Sequence, residues 1–197
     1  MNAPLHAPRI PDHPIDQLFI DRWSPRSFSD ETLPEPVLLT MLEAARWAPS
    51  ASNHQPWRFA WGLRGEAGFD AILGALVQFN ADWAGKAAAL VAVASKSTVA
   101  GTEGDVPNPF HSFDAGAAWS NLALQVHLSG YVAHAMGGFD REKAAAALNL
   151  PADYALHAIV AIGRQGDAAA LPEKLRAREM PNARLPLAQI ARRGAFA

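Results

Sequence analysis

Two arginines and a serine alternate near the N-terminus, in the segment Arg22-Trp23-Ser24-Pro25-Arg26. Pro25 favours an extended backbone at Ser24, and alternate side chains of an extended segment point the same way. Two guanidiniums and a hydroxyl would then converge on a phosphate or an electron-rich ring edge, because a guanidinium donates in a planar fork and charge-assisted hydrogen bonds are strong. A solvated surface is the alternative that this motif alone leaves open.

A second polar cluster spans residues 49–57, which read Pro-Ser-Ala-Ser-Asn-His-Gln-Pro-Trp. Asn53 and Gln55 each offer a donor and an acceptor, as the alternating edge of a flavin pyrimidine or a nucleobase requires. A polar loop that follows the end of a helix is the alternative for this segment.

A third candidate is the pair Gly137-Gly138, which precedes Asp140. Two glycines before a helix cap expose backbone amides and allow the chain to approach a ligand closely. An ordinary turn is equally compatible with the pair.

Hydrophobic periodicity predicts the elements that position these clusters. A capping box at residues 32–35 predicts a helix that Pro49 ends, and Asp140 caps another helix. Helices are also predicted at residues 69–79 and 114–128, and strands at 58–61, 87–94 and 155–162. Strands separated by dominant helices indicate an α+β or α/β core with a modest sheet.

Composition bounds the function. The 197 residues are 50% hydrophobic and 18% charged, with a net charge of -2, so one domain without a nucleic-acid-binding surface is expected. Residues 1–21 lack the apolar core of an export signal, and no apolar stretch is long enough to cross a bilayer. The absence of cysteine excludes disulfides and thiolate chemistry. We therefore expect a soluble, cytoplasmic protein that binds no membrane.

Side chains that suggest other activities have plainer interpretations. The seven histidines have no metal-ligand spacing, and no hydrolase or phosphate-loop motif is present, so no metal site is predicted. Asp114 is interpreted as a helix cap rather than an acid catalyst. Trp83 and Phe110 are more often core anchors than parts of a substrate site.

Four motifs in register resemble the FMN-dependent nitroreductase family. They are Arg-x-Ser-x-Arg-x-Phe at 22–28, Ala-Pro-Ser-x-x-Asn-x-Gln-Pro-Trp at 48–57, Gly-Phe-Asp at 138–140 and Arg-Leu-Pro-Leu at 184–187. The resemblance spans residues 22–190. It implies an α+β fold with a small mixed central sheet flanked by helices, in an intertwined homodimer with FMN in two interface clefts. It also implies a leader at 1–21, an FMN-binding domain at 22–190 and a tail at 191–197.

The resemblance assigns a role to each cluster, without a catalytic side chain. Arg22, Trp23, Ser24 and Arg26 would hold the phosphate and pyrimidine sides of FMN, completed by Arg184. The family often has lysine where Asn182 stands, which leaves one charge contact to the phosphate without its usual residue. A neighbouring arginine of the basic stretch after Gly163 is a candidate to replace it. The resemblance further implies that Ser50, Asn53 and Gln55 contact the flavin from the partner subunit. It places Asn80 at the pyrimidine edge of the flavin and the backbone of Gly137 and Gly138 at flavin N5.

The activity implied is a ping-pong reaction in which NADH or NADPH reduces the flavin, which then reduces a nitro, quinone or enone-like molecule. A flavin-binding or flavin-storage protein with little turnover is an alternative. A specialised family member, dehalogenating or flavin-fragmenting, is another. The sequence selects neither the acceptor nor the nicotinamide.

Overall fold

A four-stranded sheet forms the centre of the fold in the computed structural model, which describes residues 8–196. Residues 1–7 of the expected leader and residue 197 of the expected tail lie outside the description. The strands are β1 (Trp57–Leu63), β2 (Ala89–Lys96), β3 (Thr98–Gly101), β4 (Gly104–Pro107), β5 (Val132–Met136) and β6 (Tyr154–Gly163). The central sheet has the order β1-β2-β6-β5, and β3 and β4 form a separate hairpin.

The middle strands are buried because helices cover both faces of the sheet. Successive side chains of β2 point to opposite faces, so Val91 and Val93 join one apolar cluster while Leu90 and Ala92 join the other. This placement explains the continuous run of small apolar residues from which both β2 and β6 were predicted, and it confirms those two strands.

Eight α-helices lie within residues 8–196, besides two short 3-10 helices at Ala51–Asn53 and Ala168–Ala170. They are α1 (Gln17–Asp21), α2 (Glu35–Arg46), α3 (Ala67–Ala75), α4 (Gln78–Ala84), α5 (His111–Leu128), α6 (Arg141–Ala147), α7 (Glu173–Arg176) and α8 (Leu187–Ile190). Residues of α2 and α5 cover one face of the sheet, and residues of α3, α4 and α6 cover the other. Asp140 caps α6 by accepting the Lys143 N–H at 3.0 Å, as predicted. None of these helices is long and apolar enough to cross a membrane.

The expected helix at 69–79 is two helices, α3 and α4. Leu76 between them is extended and forms an isolated β-bridge with Phe139. The Val77 N–H also donates to the Gly138 carbonyl at 3.1 Å. Residues 76–77 therefore pair with the segment after β5 instead of forming the next helical turn. A helical period in the sequence cannot indicate such a pairing.

Three smaller expectations differ from the structure. Every pair in the central sheet of this chain is antiparallel, so the sheet is not mixed within one chain. The capping box is wrong, because α2 begins after Pro34 without a side-chain cap bond. Helix α5 begins at His111, one turn earlier than expected, so Asp114 is not its cap. The domain boundaries at 22 and 190 stay a prediction.

Candidate functional site

A basic cavity of about 220 Å³ lies where the two ends of the described chain meet. Its wall combines the arm before α1, the segment that follows α1 and the stretch after α7. The lining residues are Arg9, Arg22, Trp23, Ser24, Arg26, His134, Arg178, Met180, Asn182 and Arg184. The structure thus brings together all the predicted residues of the first cluster with Arg184, and adds Arg9 and Arg178.

The Arg22–Arg26 segment leaves α1 with an extended backbone at Arg22. Arg22 ends α1 with φ -63° and ψ 123°, and its Nη1 donates to the Ser24 Oγ at 3.3 Å. Pro25 is fully buried. The alternating side chains of Arg22, Ser24 and Arg26 consequently reach one cavity.

Glu179 fixes the far end of that segment. Its Oε1 accepts the N–H of Arg26 at 2.6 Å and that of Ser27 at 2.8 Å. Its side chain is 1% exposed, and Oε2 lies 3.8 Å from an Arg26 guanidinium nitrogen. A buried carboxylate is stable only when it is paired and hydrogen-bonded, so Glu179 ties residues 26–27 to the chain after α7.

The guanidiniums of the cavity are poorly compensated. Burial and the nearby positive charge of Arg184 lower the pKa of both Arg9 and Arg22. Burial also lowers the pKa of Arg26, where Glu179 opposes the effect and Arg178 adds to it. Clustered cations that repel one another are stabilised by an anion, so the lining of this cavity is suited to an anionic ligand.

His134, on β5, lines both the basic cavity and a second cavity of about 420 Å³, and the two cavities also share Arg22 and Ser24. Its Nδ1 lies 3.0 Å from the Pro25 carbonyl, which can only accept, so Nδ1 carries the proton. Burial, followed by the positive charge of Arg26, lowers the pKa of His134 to about 4. The imidazole is therefore neutral at pH 7 and its Nε2 is an acceptor.

The sequence interpretation considered His134 only as a metal ligand and missed this position. A single histidine in a short strand carries no pattern that separates it from a core histidine. Trp83, whose ring centroid lies 4.8 Å from that of His134, is only 3% exposed and is a core anchor. Phe110 is 54% exposed and lies just before α5.

The loop at residues 50–55 lies apart from both cavities, whose lining residues include none of its members. Asn53 and Gln55 are exposed, while Ser50 Oγ accepts the Gln55 N–H at 3.0 Å. Ser52, Asn53 and Gln55 have positive φ angles of 49°, 57° and 49°. Non-glycine residues seldom adopt this backbone, and such outliers concentrate at functional sites.

Asp114 holds the start of this loop. The side chain is 2% exposed, and its Oδ2 accepts the Ala51 N–H at 3.2 Å. The interpretation of Asp114 as a helix cap is therefore wrong, because its carboxylate reaches another segment instead of the first turn of α5. Pattern reasoning could not detect a contact between residues 63 positions apart.

The Gly137-Gly138 pair meets Asn80 at the end of β5. Asn80 Nδ2 donates to the Gly138 carbonyl at 3.1 Å. A Cβ built on Gly138 would lie 2.7 Å from that same nitrogen, whereas one on Gly137 would meet nothing within 4 Å. Neither glycine has a left-handed backbone, so a side chain at 138 is opposed by its contact with Asn80 and not by turn geometry.

No metal centre accompanies these groups. Within residues 8–196, histidine, cysteine, aspartate and glutamate form no cluster of three or more that could hold an ion.

The chain matches the family model described as the nitroreductase family over residues 20–68 and 63–164. These ranges include three of the four sequence motifs and end before Arg184. The chain is similar to the "uncharacterized 15.4 kDa protein in ask 5'region" of Mycolicibacterium smegmatis, with 34% identity over 68% of this chain and 93% of that protein. The chloronitrobenzene nitroreductase of Comamonas testosteroni is 43% identical over 27% of this chain and 23% of its own length.

Solved structures extend the likeness to nearly the whole fold. A crystal structure described as an oxidoreductase containing FMN superposes with a TM-score of 0.93 and 45% identity, covering 96% of both chains. The FMN complex of a protein from Exiguobacterium sibiricum 255-15 has a TM-score of 0.74 at 21% identity, over 93% of this chain and 99% of that one. The second likeness shows a shared fold.

Proposed function

The chain belongs to the nitroreductase family, and from this membership we propose that it is an FMN-dependent oxidoreductase that couples NADH or NADPH to the reduction of a small molecule. The acceptor class proposed is a nitro, quinone or enone-like compound, reduced in a ping-pong reaction. The observation that carries the cofactor proposal is the basic cavity, where Arg22, Ser24 and Arg26 meet Arg184.

The residues of the cavity fit the phosphate of FMN. Arg22, Arg26 and Arg184 supply planar guanidinium donors, and Ser24 supplies a hydroxyl. Their mutual repulsion favours occupation by a dianion over a neutral group. The second cavity shares Arg22, Ser24 and His134, so a ligand with a charged end and a longer body can continue into it. No glycine fingerprint for a dinucleotide is present, which favours FMN over FAD.

The loop at 50–55 supports the proposal that the protein is a homodimer with shared sites. Ser50, Asn53 and Gln55 are assigned to the flavin of the partner subunit, because within one chain their cluster lies outside the basic cavity. The outer face of α5 carries Phe113, 80% exposed, Leu128, 65% exposed, and the exposed Gly116. A small residue between two exposed apolar ones suits close packing of a second helix. Ala115 and Ala118 face the chain's own core instead.

Binding and orientation are the proposed work of this chain. When bound, FMN supplies the redox chemistry, accepting a hydride from the nicotinamide and passing electrons to the acceptor. Gly137 and Gly138 are proposed to offer a backbone N–H to the flavin, and Asn80 to orient that backbone through the Gly138 carbonyl. No side chain of residues 136–138 can exchange a proton, so catalysis does not depend on an ionisable group there.

The decisive experiment identifies the flavin and then tests turnover. The purified protein should be yellow and release FMN on denaturation, and it should oxidise NADH or NADPH when a nitroaromatic or a quinone is added. Extraction of FAD as the main flavin would contradict the cofactor assignment. Tight FMN binding without turnover with any acceptor would favour the flavin-storage alternative, and turnover of a halogenated substrate alone would favour a specialised member.

A further inference from the structure

We propose that Arg9, in the arm that precedes α1, is a phosphate-binding residue of the basic cavity and supplies the positive charge that Asn182 does not. The inference rests on the proposed function, because the phosphate is that of FMN. It assigns a binding role to a segment that lies outside the motifs of the family resemblance.

The geometry places Arg9 in the wall of the cavity beside Arg22 and Arg184. Its Nη2 donates to the Arg22 carbonyl at 3.1 Å, which orients the guanidinium. Its Nη1 is shielded from solvent and has no hydrogen-bond partner among residues 8–196. A shielded cationic donor without an acceptor is costly, and an anion in the cavity would supply the acceptor.

The charges around Arg9 point to the same ligand. After burial, the positive charges of Arg184 and Arg22 are the main causes that lower the pKa of Arg9, and only Asp21 opposes them. Arg26 differs, because Glu179 already compensates it within the chain. Arg9 makes no ion pair within 4.0 Å in the described part of the chain, so an anion in the cavity would be its first close counter-ion.

Asn182 lines the same cavity but is uncharged. Arg178 also lines it, and Arg178 lies beside Arg26, whose pKa it lowers. Arg9 instead lies beside Arg22 and Arg184, which both lower its pKa. Its guanidinium is oriented by the Arg22 carbonyl and keeps a shielded Nη1 without a partner among residues 8–196, so Arg9 is the better placed of the two to substitute for the missing lysine.

A hydrogen bond near Arg9 fixes the position of the arm. Asp12 Oδ2 accepts the Leu187 N–H at 2.6 Å, which joins the arm to the start of α8. Arg9 lies three residues before Asp12 in the chain, and its own side chain is bound to the Arg22 carbonyl. Two fixed points thus orient the guanidinium before a ligand arrives, which reduces the entropy lost on binding.

The test compares FMN with riboflavin, which lacks the phosphate. Apoprotein freed of flavin would be titrated with each, following the quenching of flavin fluorescence, for the wild type, Arg9→Ala and Arg9→Lys. Loss of one charge-assisted contact should weaken FMN binding in Arg9→Ala on the order of 10- to 100-fold and leave riboflavin binding unchanged. Arg9→Lys should recover most of the loss. Arg64→Ala is the control, since Arg64 also bridges segments through backbone carbonyls but does not line the cavity.

Each other result overturns the inference in a recognisable way. If Arg9→Ala weakens FMN and riboflavin equally, Arg9 only supports the fold of the arm. If neither affinity changes, the phosphate does not reach Arg9, and the proposed function stands without it. If the wild type binds neither flavin, the proposed function is wrong and the inference fails with it.

Discussion

The basic cavity and the loop at residues 50–55 differ in what holds them. Contacts across the sequence hold the cavity, such as Glu179 on the Arg26 N–H and Asp12 on the Leu187 N–H. The loop depends mainly on local bonds around Ser50, on a left-handed backbone and on Asp114. Its residues line neither the basic cavity nor the second cavity beside it. The comparison teaches that residues of one chain line the basic cavity from several distant segments, whereas the polar loop has no such cavity beside it, which is the basis of the proposal that it serves a second chain.

Glu179→Ala should have the largest effect, because it tests the contacts that hold the segments of the basic cavity together. The change removes the acceptor of two backbone N–H groups and leaves the partly buried Arg26 without its carboxylate. Breaking such a pair should lower the free energy of unfolding by about 3–5 kcal/mol, measured by urea denaturation at pH 7. Glu173→Ala, an exposed glutamate of α7, is the control. A loss no larger than in this control would mean that Glu179 does not hold the cavity together.

Acid should loosen the cavity through His134. Its folded pKa of about 4 lies below the ordinary value of 6.5, so between these values the unfolded state binds more protons. Stability is therefore full above about pH 6.5 and falls as pH decreases toward 4, by at most about 3 kcal/mol for this group. His134→Gln should reduce the difference in free energy of unfolding between pH 7 and pH 4.5, compared with His54→Gln in the exposed loop. An equal pH dependence of the free energy of unfolding in both variants would show that His134 does not cause the loss of stability in acid.

Arg184→Ala separates ligand binding from stability. Within residues 8–196 the Arg184 guanidinium donates to the carbonyls of two neighbouring residues, Asn182 and Ala183, at 3.1 Å, so the fold should tolerate its loss. FMN affinity should fall by roughly 1.5–3 kcal/mol, the size of a hydrogen bond to a charged group. Calorimetric titration of apoprotein measures it, with Arg192→Ala in the tail as the control. Full FMN affinity in Arg184→Ala would indicate that this arginine faces solvent.

The smallest expected effect belongs to the loop. Asn53→Gly removes the side-chain amide and suits the positive φ of 57°, so stability should stay the same or rise slightly. FMN affinity should nevertheless fall by about 0.5–1.5 kcal/mol, the net size of a neutral hydrogen bond. Thermal unfolding of the apoprotein and a flavin titration give the two values. Unchanged affinity would show that the amide of Asn53 does not touch the flavin.

Mixed dimers complete the comparison. If each site combines the cavity of one chain with the loop of the other, a dimer of Arg184→Ala and Asn53→Gly chains has one intact and one doubly damaged site. Differently tagged chains, refolded together and purified through both tags, should then bind FMN with wild-type affinity at half of their sites. Absence of any wild-type site in verified heterodimers would place the cavity and loop of each site in the same chain.

The parts of the fold that the sequence predicted are those determined locally. Strands β2 and β6 follow from short, continuous apolar runs, and the Asp140 cap follows from its own helix. The break between α3 and α4 was missed because Leu76 pairs with Phe139, far along the chain. Strand β5 was also missed, since five residues including His134 carry too little pattern.

The candidate site divides in the same way. The spacing of Arg22, Ser24 and Arg26 predicted that their side chains meet at one site, and the family resemblance added Arg184 to that site. Glu179 could not be predicted, because its partners lie 153 and 152 positions away and a lone glutamate has no signature. The roles of Arg9 and of Asp114 likewise exist only once distant segments meet.

The meeting of Arg9 and Arg184 in one cavity has a consequence for the order of events at the ribosome. Translation delivers the chain from its N-terminus at about 5–20 residues per second, so the last strand of the sheet, ending at Gly163, is made before Arg184. The intervening stretch takes on the order of seconds. The anion pocket can therefore close only after Arg184 has been made and has left the ribosome. Cofactor loading through this pocket must await that step.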